Sequence, residues 1–126
     1  MDSLTAAIRG AEHHEVGGAK VDLVRAGNVR FGRFIYPPGF HWSTHMKPIV
    51  GTDLCRHAHI GFLARGRIQG RYADGCSFEF VAPAVVILEA GHDAWVVDEE
   101  AAVLIQVDAE ADTARRFGLS EEHRHA

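Results

Sequence analysis

The stretch that decides the fold is Gly51–Gly70, GTDLCRHAHIGFLARGRIQG. Within it Cys55, His57 and His59 stand at i, i+2 and i+4. Successive side chains of a strand alternate between its two faces, so an extended run sends all three to the same side. Thiolate and imidazole are the usual ligands of zinc, iron, nickel and copper, and such a face is a plausible start for a metal site. Ligands from one strand do not complete a site, so a further one has to come from elsewhere. The flanking residues are apolar or small, which favours a buried or half-buried strand over a solvated loop.

Outward from this run the chain reads as short strands punctuated by turn residues. Leu54–Ala64 and Arg67–Tyr72 are expected to form a hairpin around Arg65-Gly66, with Arg65, Arg67 and Arg71 on its solvent face. The Asp74-Gly75 pair favours a tight turn and predicts that Ser77–Phe80 pairs back. Val85–Leu88 is a continuous apolar run of the kind found in strands buried on both faces. Trp95–Val97 and Ala101–Val107 follow around an acidic turn. On the N-terminal side, Lys20–Arg25 and Val29–Tyr36 have strand character and are separated by Ala26-Gly27-Asn28. Pro48 argues against a central strand in GFHWSTHMKPIVGTD, which reads as an irregular segment with Trp42 over the core and His41 and His45 hydrogen-bonded at the surface. Residues 2–9 predict a short helix capped by Asp2 or Ser3, and Glu12–Glu15 a polar connection. DAEADTARRFG, from Asp108, predicts a short closing helix. Many short strands at this spacing mean an all-β sandwich or barrel.

The bulk properties bound the function. A chain of 126 residues with 47% hydrophobic residues suits one globular domain. A net charge of −4 without a basic stripe argues against nucleic acid as partner. No apolar run approaches the length of a membrane span, and the N-terminus shows no signal-peptide core, so a soluble cytoplasmic protein is expected. Cys55 and Cys76 do not suggest a secreted disulfide scaffold. There is no Gly-x-Ser-x-Gly elbow and no phosphate-binding Gly-rich loop.

The spacing Gly51, His57-x-His59, Leu63, Gly70 resembles the first motif of the cupin superfamily, and Glu89-Ala90-Gly91-His92-Asp93-Ala94 occupies the place of the second. Cupins carry a glutamate where this chain has Leu63, and the second-motif histidine falls at Ala94, two residues after His92. The resemblance spans roughly Phe34 to Val107. A narrower likeness, carried by WSTHMKPIVGTDLC, HIGFLARGRI and EAGHDAWVVDEE, is to small bacterial cupin-domain proteins of uncertain activity; in that group a histidine in the Gly91-His92 setting is usual.

The resemblance implies a double-stranded β-helix, the jelly-roll cupin barrel, with short N- and C-terminal helical segments. It divides the chain into an N-terminal extension at 1–19, the barrel at 20–108, and a closing helix and tail at 109–126. It implies a divalent metal ion (zinc, iron, nickel or copper) held by His57, His59 and His92, since positions 92 and 94 share a parity in an extended run. His45 and Cys55 are additional candidate ligands, and Trp95 is expected to wall the barrel mouth. A small-molecule substrate, isomerase, lyase or dioxygenase chemistry, and a homodimer follow by the same likeness. A non-catalytic ligand-binding or sensory barrel is the alternative.

Overall fold

The computed structural model describes residues 2–27, 29–52, 54–55 and 58–109. Its strands are β1 (Glu12–Val16), β2 (Ala19–Ala26), β3 (Val29–Tyr36), β4 (Ala58–Arg65), β5 (Arg67–Tyr72), β6 (Ser77–Val81), β7 (Ala84–Leu88), β8 (His92–Val96) and β9 (Ala102–Ala109). Two short helices, α1 (Trp42–His45) and α2 (Lys47–Val50), lie between β3 and β4. A six-stranded antiparallel sheet of order β1-β2-β3-β9-β4-β7 packs against a three-stranded sheet of order β6-β5-β8. No helix among the described residues is long and apolar enough to cross a membrane.

Alternation writes the core directly into the strands. Leu63 on β4, Val86 and Leu88 on β7 and Leu104 on β9 point inward from one sheet. Ile68 and Tyr72 on β5 and Val96 on β8 meet them from the other. On β5 the intervening Arg67, Gln69 and Arg71 face outward, and Arg67 and Gln69 both bond Glu79 of β6. Gly70 has no alternative at its place between Ile68 and Tyr72, because a Cβ there would lie 2.1 Å from the Phe78 ring and 2.4 Å from the Asp93 carbonyl.

Four local expectations are corrected. Arg65-Gly66 is not a hairpin turn: β4 pairs with β7 and β9, whereas β5 pairs with β6 and β8, so the chain turns a corner from one sheet to the other. Gly66 makes the corner at φ +88°. The apolar run of β7 is buried on one face only, since β7 is the edge strand and leaves Val85 and Ile87 exposed. Glu12–Glu15 is not a polar connection but most of β1, paired with β2; its charged side chains suit an exposed sheet edge. The sheet therefore begins inside the segment 1–19.

Residues 2–9, finally, form turns instead of a helix. Asp2 does bond the Leu4 N–H as a cap would. The Arg33 guanidinium then takes the Leu4 and Ala6 carbonyls, at 2.9 and 2.7 Å, which a helix would have needed for its own ladder. The expected C-terminal helix beyond Ala109 lies outside the described residues.

Between β3 and β4 the sequence reading holds in substance. Trp42 is buried in the core cluster, and Pro48 sits at the start of α2. His41 donates from Nε2 to Asp93 (2.9 Å) and stacks on Trp95, while the His45 ring stacks on Phe40.

Candidate metal centre

The ligand atoms of Cys55, His59 and His92 all lie within 4.8 Å of one another. Three different backbone devices bring them together. His59 is the second residue of β4, with its side chain on the inward parity shared with Gly61 and Leu63. Cys55 precedes β4 and is held by a bridge to His92: its N–H donates to the His92 carbonyl at 2.8 Å, and its carbonyl accepts from Gly91 N–H at 2.6 Å. His92 opens β8, and Gly91 before it has φ +88°, a conformation that any side chain would strain.

The trio sits deep. Cys55, His59 and His92 are 8%, 9% and 2% exposed. Cys55 Sγ is 3.4 Å from His59 Nε2, and the His59 and His92 rings meet edge to face at 5.1 Å. His92 donates its Nδ1–H to the Glu89 carbonyl at 2.7 Å, a bond that leaves the ring's other nitrogen with its lone pair. Tyr72 and Phe78 flank the same ring edge-on, each at 6.2 Å. Tyr72 also accepts from the Glu89 N–H, which ties down the turn that carries the acceptor carbonyl. Burial pushes the Tyr72 phenol above its ordinary value, so it stays neutral.

Ligands of a tetrahedral ion stand about 3.5 Å apart, so closing the trio around one ion asks for movements of roughly an ångström, within reach of side-chain rotation. Two imidazoles and one thiol form a donor set that suits a borderline-soft divalent ion. The residues present fit the group.

Of the expected ligands, His59 and His92 come together, and Cys55 joins them from its place before β4. His57 lies outside the described residues. His45 is not part of the cluster; it closes α1 and accepts at Nδ1 from the His41 N–H. Leu63, at the glutamate place of the motif, is fully buried apolar core. Ala94 shares the inward face of β8 with His92 and Val96, as the parity argument requires.

The trio opens on a cavity of about 420 Å³ between the sheets. Its walls include Phe34, Phe40, Trp42, Leu88 and Leu104. Trp95 is not among its lining residues: it stands on the opposite parity of β8 and stacks on His41, so the tryptophan at the cavity is Trp42. Sequence reading passed over Gln106. Its side chain is fully buried on the inward face of β9, between Gly32 and Gly61 in register, and neither amide atom has a hydrogen-bond partner among the described residues. Such a group costs about 1–3 kcal/mol. The signal was available: one polar residue at an inward position of the apolar run AVLIQV.

No protein-family model matches the sequence, and no curated protein matches it. Solved structures do. A cupin 2 conserved barrel domain protein from Salinispora arenicola superposes with a TM-score of 0.58 at 16% identity, covering 94% of this chain and 96% of that one. An RmlC-like cupin from Shewanella frigidimarina gives 0.56 at 14% identity, over 84% of this chain and 89% of that one. An oxalate decarboxylase in complex with formate, from Lactobacillus farciminis, gives 0.52 at 18% identity, over 89% of this chain and 40% of that one. The fold is therefore the cupin jelly-roll barrel. It is a small barrel of the same build as the Salinispora domain, which it matches over nearly the full length of both chains.

Proposed function

We propose that the protein is a small metal-binding cupin that acts on a small organic molecule, with Cys55, His59 and His92 as ligands and His57 as the candidate fourth. The observation that carries this reading is the buried convergence of three soft donors on a cavity, with the His92 tautomer set by the Glu89 carbonyl. Metal-ligating histidines characteristically donate their second nitrogen in this way. The nitrogen and sulfur donor set favours zinc, with iron, nickel and copper as alternatives.

When bound, such an ion supplies Lewis-acid polarisation of a substrate oxygen or activation of water or dioxygen, which is what isomerase, lyase and dioxygenase chemistries draw on. The chain's own part is to exclude water with Phe40, Trp42 and Leu88 and to fix the ligand rings through Glu89 and Tyr72. Cys55 and Cys76 form no disulfide, which suits a reducing compartment and supports a cytoplasmic location.

The test is elemental analysis of untagged protein purified without chelator, beside Cys55→Ser, His59→Ala, His92→Ala and His57→Ala. The wild type is expected to carry about one ion per chain, and each of the first three variants to retain less than about a tenth of it. Loss in His57→Ala as well would add the fourth ligand. Absence of metal after reconstitution with each of the four divalent ions would overturn the metal reading and leave the alternative, a ligand-binding barrel.

A homodimer belongs to the same proposal. The outer face of the six-stranded sheet carries the cross-strand row Val24–Phe31–Val107–Ile60–Ile87, with Phe62 and Val85 beside it. Val24, Phe31, Phe62, Val85 and Ile87 are exposed, an apolar face that a twofold-related copy would cover with the same face. Light scattering is expected to give twice the 13.8 kDa chain mass for the wild type, and the chain mass itself for the Val85→Glu/Ile87→Lys variant. A monomeric wild type would exclude the dimer.

A further inference from the structure

One wall of the 420 Å³ cavity is aromatic. Phe34 and Tyr36 stand two residues apart on β3, so both rings take its inward face. They lie nearly parallel, 19° apart with centroids at 6.2 Å, and the Phe40 ring continues the surface 4.8 Å from Tyr36. Trp42, at the start of α1, adds a further ring. Phe40 and Trp42 are buried, whereas Phe34 and Tyr36 are half-buried and border the cavity. Beside the rings the wall is aliphatic, with Phe34 in register between Val21 and Leu104. The basic side chains of the lining are engaged elsewhere: Arg25 and His14 both meet Glu12, at 3.5 and 3.8 Å, and Arg30 has a contact of its own. The rings therefore decide what the cavity holds. They stand at some distance from the Cys/His cluster. The Phe40 carbonyl accepts from the Val96 N–H at 2.9 Å, and Val96 is four residues along β8 from His92, roughly 13 Å away.

We infer that the cavity takes a flat, fused-ring aromatic compound, with its rings against Phe34, Tyr36, Phe40 and Trp42 and one polar substituent directed at Cys55, His59 and His92. The inference rests on the cavity being the functional site and names the class of its ligand; it does not require the metal. Aromatic rings attract one another through their quadrupoles in offset and edge-to-face geometries. Each such contact is worth about two- to tenfold in affinity beyond the apolar area it covers. A saturated ring system of the same carbon skeleton covers at least as much apolar area and gains none of this. It is also puckered, and meets a wall of rings less closely.

Isothermal titration with 2-naphthylmethanol and its decahydro counterpart tests this, because the two share a hydroxyl and a carbon skeleton and differ only in the rings. The aromatic alcohol is expected to bind the wild type about tenfold or more tighter, although the saturated one is the more hydrophobic. Phe34→Leu/Tyr36→Leu is expected to bring the two alcohols within about threefold of each other, chiefly by weakening the aromatic one. His92→Ala is expected to preserve the aromatic preference, since the rings stand at the other end. Equal affinities in the wild type, a tighter saturated alcohol, or no binding of either up to its solubility would each overturn the inference, and none of these outcomes needs a variant. An aromatic preference that survives the double variant would overturn it too, by placing the rings elsewhere. Metal content is read on the same samples: an ion present with no aromatic preference sinks this inference alone, and an aromatic preference without any ion sinks the metal reading alone.

Discussion

Replacing Arg33 with leucine is expected to destabilise the protein by about 3–5 kcal/mol, because it strands a buried carboxylate. Arg33 and Asp22 face each other across β2 and β3 at 2.7 Å, with side chains only 6% exposed. The same guanidinium holds the Leu4 and Ala6 carbonyls, so the N-terminal segment should loosen along with the pair. Burial pushes the Asp22 carboxyl pKa up, but hydrogen bonds from His13 and Arg33 outweigh it and hold the group below its ordinary value. A carboxylate with a depressed folded pKa adds stability above its unfolded pKa of about 3.9, and that stability is lost as pH falls through the folded value.

In the variant the guanidinium is gone and the carboxyl pKa rises, so acid no longer removes a favourable term. The gap between wild type and Arg33→Leu should therefore narrow from pH 7 to pH 3, and Asp22→Asn/Arg33→Leu should recover part of the loss. Urea unfolding followed by tryptophan fluorescence at both pH values checks this. A loss below about 1 kcal/mol at pH 7 would show that the pair is an ordinary surface ion pair.

Leu63→Glu is the second substitution with a large expected effect. It restores the glutamate of the cupin motif, yet it is expected to cost about 4 kcal/mol or more and to recruit no metal. Leu63 is fully buried and pairs with Ala84 on one side and Leu104 on the other. It stands four residues beyond His59 on the same strand, roughly 13 Å away. A carboxyl placed there loses the leucine's packing and has apolar neighbours, so it is held neutral with a raised pKa. The sign is the reverse of Asp22: stability is present below the unfolded pKa of about 4.3 and is lost as pH rises, so the variant should be firmer at pH 4 than at pH 7. Thermal unfolding at the two pH values, with metal content measured beside it, decides the matter. A variant of native stability that gains metal would show that position 63 faces the site after all.

The sequence by itself determined most of the strands after Gly18, the parity of His59 and His92 and the donors worth testing. Val29–Tyr36 emerges as β3 with the bounds its alternation predicts, and the inward parity of His92, Ala94 and Val96 follows from the period of two. The His59 and His92 donors were legible for the same reason, since a strand's facing is a local property. The partnering of strands is not local, and that is where reading failed. Only the closed barrel decided that Arg65-Gly66 is a corner between sheets, that β7 is an edge strand with Val85 and Ile87 outside, and that Glu12–Val16 adds a strand at the rim. The site divides along the same line. The residue types were in the motif, but Cys55 reaches His92 through a bridge between segments far apart in sequence. Trp42 replaces Trp95 at the cavity because α1 folds back over it. Alternation tells each side chain which face it shares with its neighbours two residues away. Which of those faces becomes the inside is settled by how the two sheets close on each other.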